Sequence, residues 1–135
     1  MKIYMDMIEF LPVNTLICHE QIDEKRLDML VERLQRTKIL HKPVVVDRKT
    51  RVILDGHHRV RAFIQLGIEK IPCLLVNYLD KDIEVTFRRM ELKQIVMKEI
   101  ILKKAMDGIV FPQKTTKHRL PYRPVIHVPI KIQGQ

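Results

Sequence analysis

Five consecutive residues, Asp55-Gly56-His57-His58-Arg59, stand at a joint inside the stretch "RVILDGHHRVRAFIQLGIEKIPCLLV", Arg51 to Val76. An apolar strand pattern leads into them and a helical pattern resumes directly after. The first turn of a helix leaves backbone N–H groups without intrahelical acceptors, and the macrodipole adds partial positive charge, so such a corner attracts phosphate. Gly56 carries no side chain to obstruct an anion approaching the backbone. His57, His58 and Arg59 add donors, and the Arg59 fork can grip phosphate oxygens in pairs. Asp55 is the odd member: beside a polyphosphate a carboxylate is repulsive unless a cation lies between. That makes it a candidate Mg²⁺ ligand or an orienting acceptor for an incoming hydroxyl. Taken alone, the pentapeptide equally fits a plain helix start, with Asp55 as N-cap and the histidines solvated.

The elements that must position this corner follow from local patterns. "KPVVVDRKTRVIL" predicts a hairpin with strands at Pro43 to Val46 and Val52 to Leu54, the second delivering Asp55. Val60, Phe63 and Ile64 give the next helix a buried side, Gly67 ends it, and Ile71 to Val76 returns as a strand. Upstream, Leu27, Leu30, Val31 and Leu34 form the one-sided stripe of a helix over Glu24 to Thr37, with Asp23 as its N-cap. Met5 to Phe10 and Asn14 to Ile17 read as strand material interrupted by Pro12. Ile83 to Phe87 reads as a further short strand, Glu91 to Met106 as a helix with Leu92, Ile95, Val96 and Ile100 on its apolar side, and Gly108 as its stop. "FPQKTTKHRLPYRP" is predicted to be irregular, ahead of a last strand at Val125 to Ile132. The expected architecture is α+β: a small mixed sheet with packed helices.

At 135 residues and 46% hydrophobic content, one domain spanning 1–135 with a single core is expected. No apolar run reaches the roughly 18 to 20 residues that cross a bilayer, so a membrane span is not expected and a cytoplasmic location is. Cys18 and Cys73 have neither C-x-x-C spacing nor supporting histidines, which excludes a finger-type metal site and leaves two buried thiols. A formal charge of +9 points to an anionic partner, nucleic acid or a phosphorylated small molecule, and does not choose between them.

The corner resembles that of the ParB/sulfiredoxin-like superfamily, in which a strand-to-helix corner binds nucleotide phosphates. Sulfiredoxins place a catalytic cysteine where this chain has His57, and chromosome-partitioning ParB proteins match Gly56 to Arg59 only in part. The free L-serine kinases of archaea and their siderophore-pathway relatives are more similar. The resemblance covers Asp55 to Arg59, Leu66-Gly67, Lys70-Ile71-Pro72, "CHEQ" with His19-Glu20, and "PQKTTKHRLPYRP" at Pro112 to Pro124. It implies phosphoryl transfer from ATP or ADP, with Mg²⁺, to free L-serine, giving O-phospho-L-serine, and by analogy a route to cysteine. Carried over by position, Glu20 would accept the serine hydroxyl proton and Asp55 would hold Mg²⁺ or align the hydroxyl. Gly56, His57, His58 and Arg59 would bind the phosphates, and Thr115, Thr116, Lys117 and His118 the serine end. Residues 109–135 would then be a basic C-terminal segment completing the site. Two departures fall on the acceptor side: Lys117 stands where the family has arginine, and the chain has no tryptophan. The competing expectation is a ParB-like module that binds nucleotide or DNA without chemistry, with nucleic acid as its partner.

Overall fold

The computed structural model describes residues 8–79, 84–87, 94–109, 116–119 and 124–132. Local signals set the first helix. Asp23 takes an extended backbone and its Oδ1 accepts the N–H groups of Lys25 and Arg26 at 3.1 and 3.3 Å, starting α1 (Glu24–Thr37) as predicted. Leu27, Val31 and Leu34 are its buried face.

The central sheet has four strands in the order β1-β5-β3-β4, where β1 is Ile8–Pro12, β3 Val44–Asp47, β4 Ile53–Asp55 and β5 Lys70–Val76. β3 and β4 form the expected antiparallel hairpin, β3 and β5 run parallel, and β1 closes the far edge antiparallel to β5. So β4 and the strand after α2 (His57–Gln65) are not neighbours; β3 lies between them. Strand alternation splits the interior into two layers. Val44, Val46, Ile53, Cys73 and Leu75 face α1 and α2, while Val45, Leu54, Leu74 and Val76 face α3 (Gln94–Met106). The hairpin register shifts between Val45 and Val46, so that Asp55 pairs with Val45 while Ile53 pairs with Val46.

A buried acid fixes the hairpin. Asp47, 4% exposed, accepts the N–H and hydroxyl of Thr50 through Oδ2, at 3.0 and 2.7 Å, and the N–H of Tyr78 through Oδ1 at 2.9 Å. Tyr78 is fully buried, and the buried Lys98 on α3 holds its Nζ 5.7 Å from the ring centre, a cation–π distance.

Several expectations need correction. Asn14 to Ile17 is not a strand: Val13–Thr15 is a 3-10 turn, and only Ile17 bridges to Val52. Pro12 does not interrupt β1 but ends it, opposite Lys70 on a sheet edge where its missing N–H costs no ladder bond. On α2 the buried arc runs through Val60, Ala62 and Phe63, leaving Ile64 49% exposed, because the helix packs on α1 as well as on the sheet. On α3 the described buried residues are Met97, Lys98, Ile101 and Ala105, with Ile100 only partly covered; the side chains of Leu92, Ile95 and Val96 lie outside the described residues. Cys18 is half-buried rather than buried. Part of the tail is regular: β7 (Thr116–Arg119) pairs antiparallel with β6 (Glu84–Phe87). The predicted last strand shrinks to β8 (Val128–Pro129), paired with β2 (Ile39–Leu40), while Ile126, Ile130 and Ile132 enter the α1/α2 core.

Candidate active site

The segment before α1 reaches the corner by running along the free edge of β4. Ile17 donates its N–H to the Arg51 carbonyl and accepts the N–H of Ile53, both at 2.8 Å, forming an isolated parallel bridge with Val52. Three residues further on, Glu20 has reached the start of α2, its Oε2 3.6 Å from His57 Nδ1. His19, on the way, is fully buried. One sequence signal could have found it: in an extended segment it shares a side with the apolar Ile17.

At the corner Gly56 has φ 106° and no side-chain cap covers the first turn of α2. A Cβ at Gly56 would sit 2.8 Å from Arg59 Nη2 and 3.1 Å from both Arg59 Nε and Val44 Cγ2. Only glycine fits. Arg59 folds back over it, donating from Nη2 to Asp55 Oδ2 at 3.2 Å and to the Pro43 carbonyl at 3.4 Å. Its Nε is buried with no hydrogen-bond partner among the described residues. An uncapped helix start, a glycine without room for a side chain and an orphaned buried cationic donor together suit an oxyanion.

The two histidines face the other way. His57 Nε2 accepts the backbone N–H of His19 at 3.2 Å, and His58 Nε2 accepts that of Asp23 at 3.0 Å. His57 Nδ1 lies 3.6 Å from Glu20 Oε2, with the two side chains only 4% and 19% exposed. The His19 and His57 rings meet edge to face at 4.6 Å between centres. Thus the structure brings together Glu20, Asp55, Gly56, His57, His58 and Arg59. Thr116, Lys117 and His118 lie on β7 opposite Phe87, Thr86 and Val85, in a sheet separate from the one that carries Asp55. Thr115 lies outside the described residues.

Burial disfavours the charged imidazolium. It lowers His19 to about 4, with an offsetting contact to the Ile53 backbone, and lowers His58, where the Arg26 charge adds to the effect. With depressed values in the fold, the unfolded chain binds more protons between about 4 and the ordinary histidine value of 6.5, so stability falls as pH falls through that window. His19 alone contributes on the order of 3 kcal/mol of that loss. Urea titrations at pH 7 and pH 4.5 are expected to show it, and His19→Gln to reduce the slope; a pH-independent midpoint would contradict it.

Among the described residues, no group of three or more His, Cys, Asp and Glu side chains gathers into a metal site. Magnesium carried on a nucleotide asks for less, since it keeps much of its water shell and takes one or two carboxylates beside the phosphates. Asp55, 36% exposed at the mouth of the corner, fits that requirement. No helix among the described residues is long and apolar enough to cross a membrane.

The sequence pattern of the ParB N-terminal domain matches residues 2–101. The chain belongs to that family. An ATP-dependent L-serine kinase of Desulfurococcus mucosus is 32% identical to this ParB N-terminal domain over 77 residues, 54% of this chain and 30% of that protein. A ParB-like protein of Sulfolobus acidocaldarius is 33% identical over 78 residues, 58% of this chain and 39% of that protein. The chain therefore spans about a third of the length of the curated relatives it matches. Among solved structures, a free serine kinase in complex with AMP superposes with a TM-score of 0.76 at 16% identity, covering 92% of this chain and 91% of that one. At that identity the likeness speaks for the fold alone.

Proposed function

We propose that this ParB N-terminal domain is a nucleotide-dependent kinase that phosphorylates free L-serine to O-phospho-L-serine. The observation that carries the proposal is the Glu20 carboxylate held beside the uncapped start of α2, an acid where a hydroxyl would meet a phosphate. The kinase names among its relatives support it.

Phosphoryl transfer asks the protein for position and charge balance more than for covalent chemistry. Glu20 takes the proton of the serine hydroxyl. The serine oxygen forms a bond to the terminal phosphorus, the bond from that phosphorus to the bridging oxygen breaks, and the shortened nucleotide leaves. The amides after Gly56, those of His57, His58 and Arg59, and the Arg59 guanidinium hold the phosphates against developing charge. Asp55 is the residue that would hold Mg²⁺, which when bound neutralises phosphate charge. Thr115, Thr116, Lys117 and His118 form the serine end, with residues 109–135 completing the site. Lys117 neutralises a carboxylate there without the planar fork of arginine. ATP and ADP present the same phosphates to this corner. A cytoplasmic location suits this reaction, and its product suits a route to cysteine.

Incubating the protein with Mg²⁺, L-serine and either ATP or ADP is expected to yield O-phospho-L-serine, seen by phosphorus NMR and by mass. No product with either nucleotide would refute the proposal. The net charge of +9 favours one second reading, a binding module for DNA. Tight duplex binding that weakens steeply with salt, in a protein without turnover, would establish it instead.

A further inference from the structure

The corner holds two histidines, and their contacts give the His57 side chain a task other than gripping phosphate. A backbone N–H is always a donor, so the ring nitrogen that accepts it must carry a lone pair. His57 Nε2 accepts the N–H of His19 at 3.2 Å, so the neutral ring carries its proton on Nδ1, the atom 3.6 Å from Glu20 Oε2. That separation is longer than a direct hydrogen bond, and such contacts commonly tighten when substrate binds. His58 repeats the arrangement one residue later by accepting the N–H of Asp23. Consecutive rings at the start of α2 thus fasten the Glu20 segment on both sides of the acid, at residues 19 and 23.

We propose that His57, locked as the Nδ1–H tautomer by the His19 amide, is the positioning residue for Glu20: it holds the loop with one nitrogen and aims the carboxylate with the other. This rests on the assignment of Glu20 as proton acceptor. The phosphates are then left to backbone amides and Arg59, and the same α2 that receives the anion also holds the base. Donor phosphate and acceptor hydroxyl are registered to one rigid element.

Two substitutions separate the halves of this task. Gln places its terminal amide near the Nε2 position, so His57→Gln can still accept the His19 N–H but loses the donor toward Glu20. Asn places its amide near Nδ1, so His57→Asn keeps a donor toward Glu20 and releases the loop. Each is expected to lower kcat about 10- to 100-fold while the nucleotide Kd stays within about 2-fold, as misplacement of an acid rather than loss of a phosphate ligand demands. In a Glu20→Gln background, His57→Gln should cause no further loss of kcat. A Kd weakened about 10-fold or more with kcat retained would overturn the proposal in favour of direct phosphate binding by the ring. Long-range proton–nitrogen NMR on the wild-type protein decides the tautomer without any turnover. The Nδ1–H neutral pattern is expected near pH 7, and an Nε2–H or doubly protonated ring overturns the assignment. If the wild-type protein makes no phosphoserine, the kinase proposal fails, and the NMR result still stands for or against His57.

Discussion

Glu20→Gln is expected to lower kcat for the proposed serine phosphorylation by at least about 10²-fold, the lower end of what a positioned general base contributes, and to leave the nucleotide Kd within about 2-fold. The side chain keeps its size and its neighbours, so the fold has no reason to change. What disappears is the carboxylate charge that, in the proposed mechanism, takes the hydroxyl proton as the oxygen bonds to phosphorus. Because Glu20 sits beside His57 Nδ1 rather than on the amides of α2, nucleotide binding does not depend on it. Steady-state kinetics with a separate titration of nucleotide binding reads both quantities. Full turnover in this variant would remove the base from the mechanism.

Gly56→Ala is expected to weaken nucleotide binding by at least about 10-fold and to destabilise the domain by about 1–3 kcal/mol, the range for forcing a side chain onto such a backbone. Two effects combine. The φ of 106° disfavours any L side chain, and the new Cβ would press on Arg59 Nη2 at 2.8 Å, pushing the guanidinium away from the proposed phosphate position. Gly108 supplies the comparison, since its φ is 78° and a Cβ there would meet nothing within 4 Å. Gly108→Ala should therefore cost only backbone strain, of order 1 kcal/mol, with nucleotide affinity unchanged. Calorimetric nucleotide titration and urea unfolding on the two variants measure the difference. Equal affinities would show that the corner is not where the phosphates bind.

Much of the scaffold is legible in short windows of sequence because its causes are short-ranged. The periodicity of Leu27, Val31 and Leu34 and the capping carboxylate of Asp23 act within a few turns, and α1 has the predicted ends. Gly67 is likewise local: past the end of α2 it takes φ 73°, and the N–H groups of Gly67 and Ile68 close on the carbonyls of Ile64 and Phe63. Helix faces were harder. Ile64 is as apolar as Phe63, and only the combined packing of α2 on α1 and the sheet decides which is covered.

The sequence by itself determined a glycine-opened strand-to-helix corner with an acid before it and cations after it, since neighbouring residues in a chain need no fold to be neighbours. Tertiary structure alone decided what the corner faces. The Glu20 segment arrives through the parallel bridge of Ile17 to Val52, and is fastened by histidines 38 and 35 residues away along the chain. Pairings of that range depend on the cooperative closure of the sheet and the helices packed on it, which no local pattern encodes. For that reason the histidines next to the glycine hold the Glu20 segment in place, at the amides of His19 and Asp23, a contact their sequence neighbours do not announce.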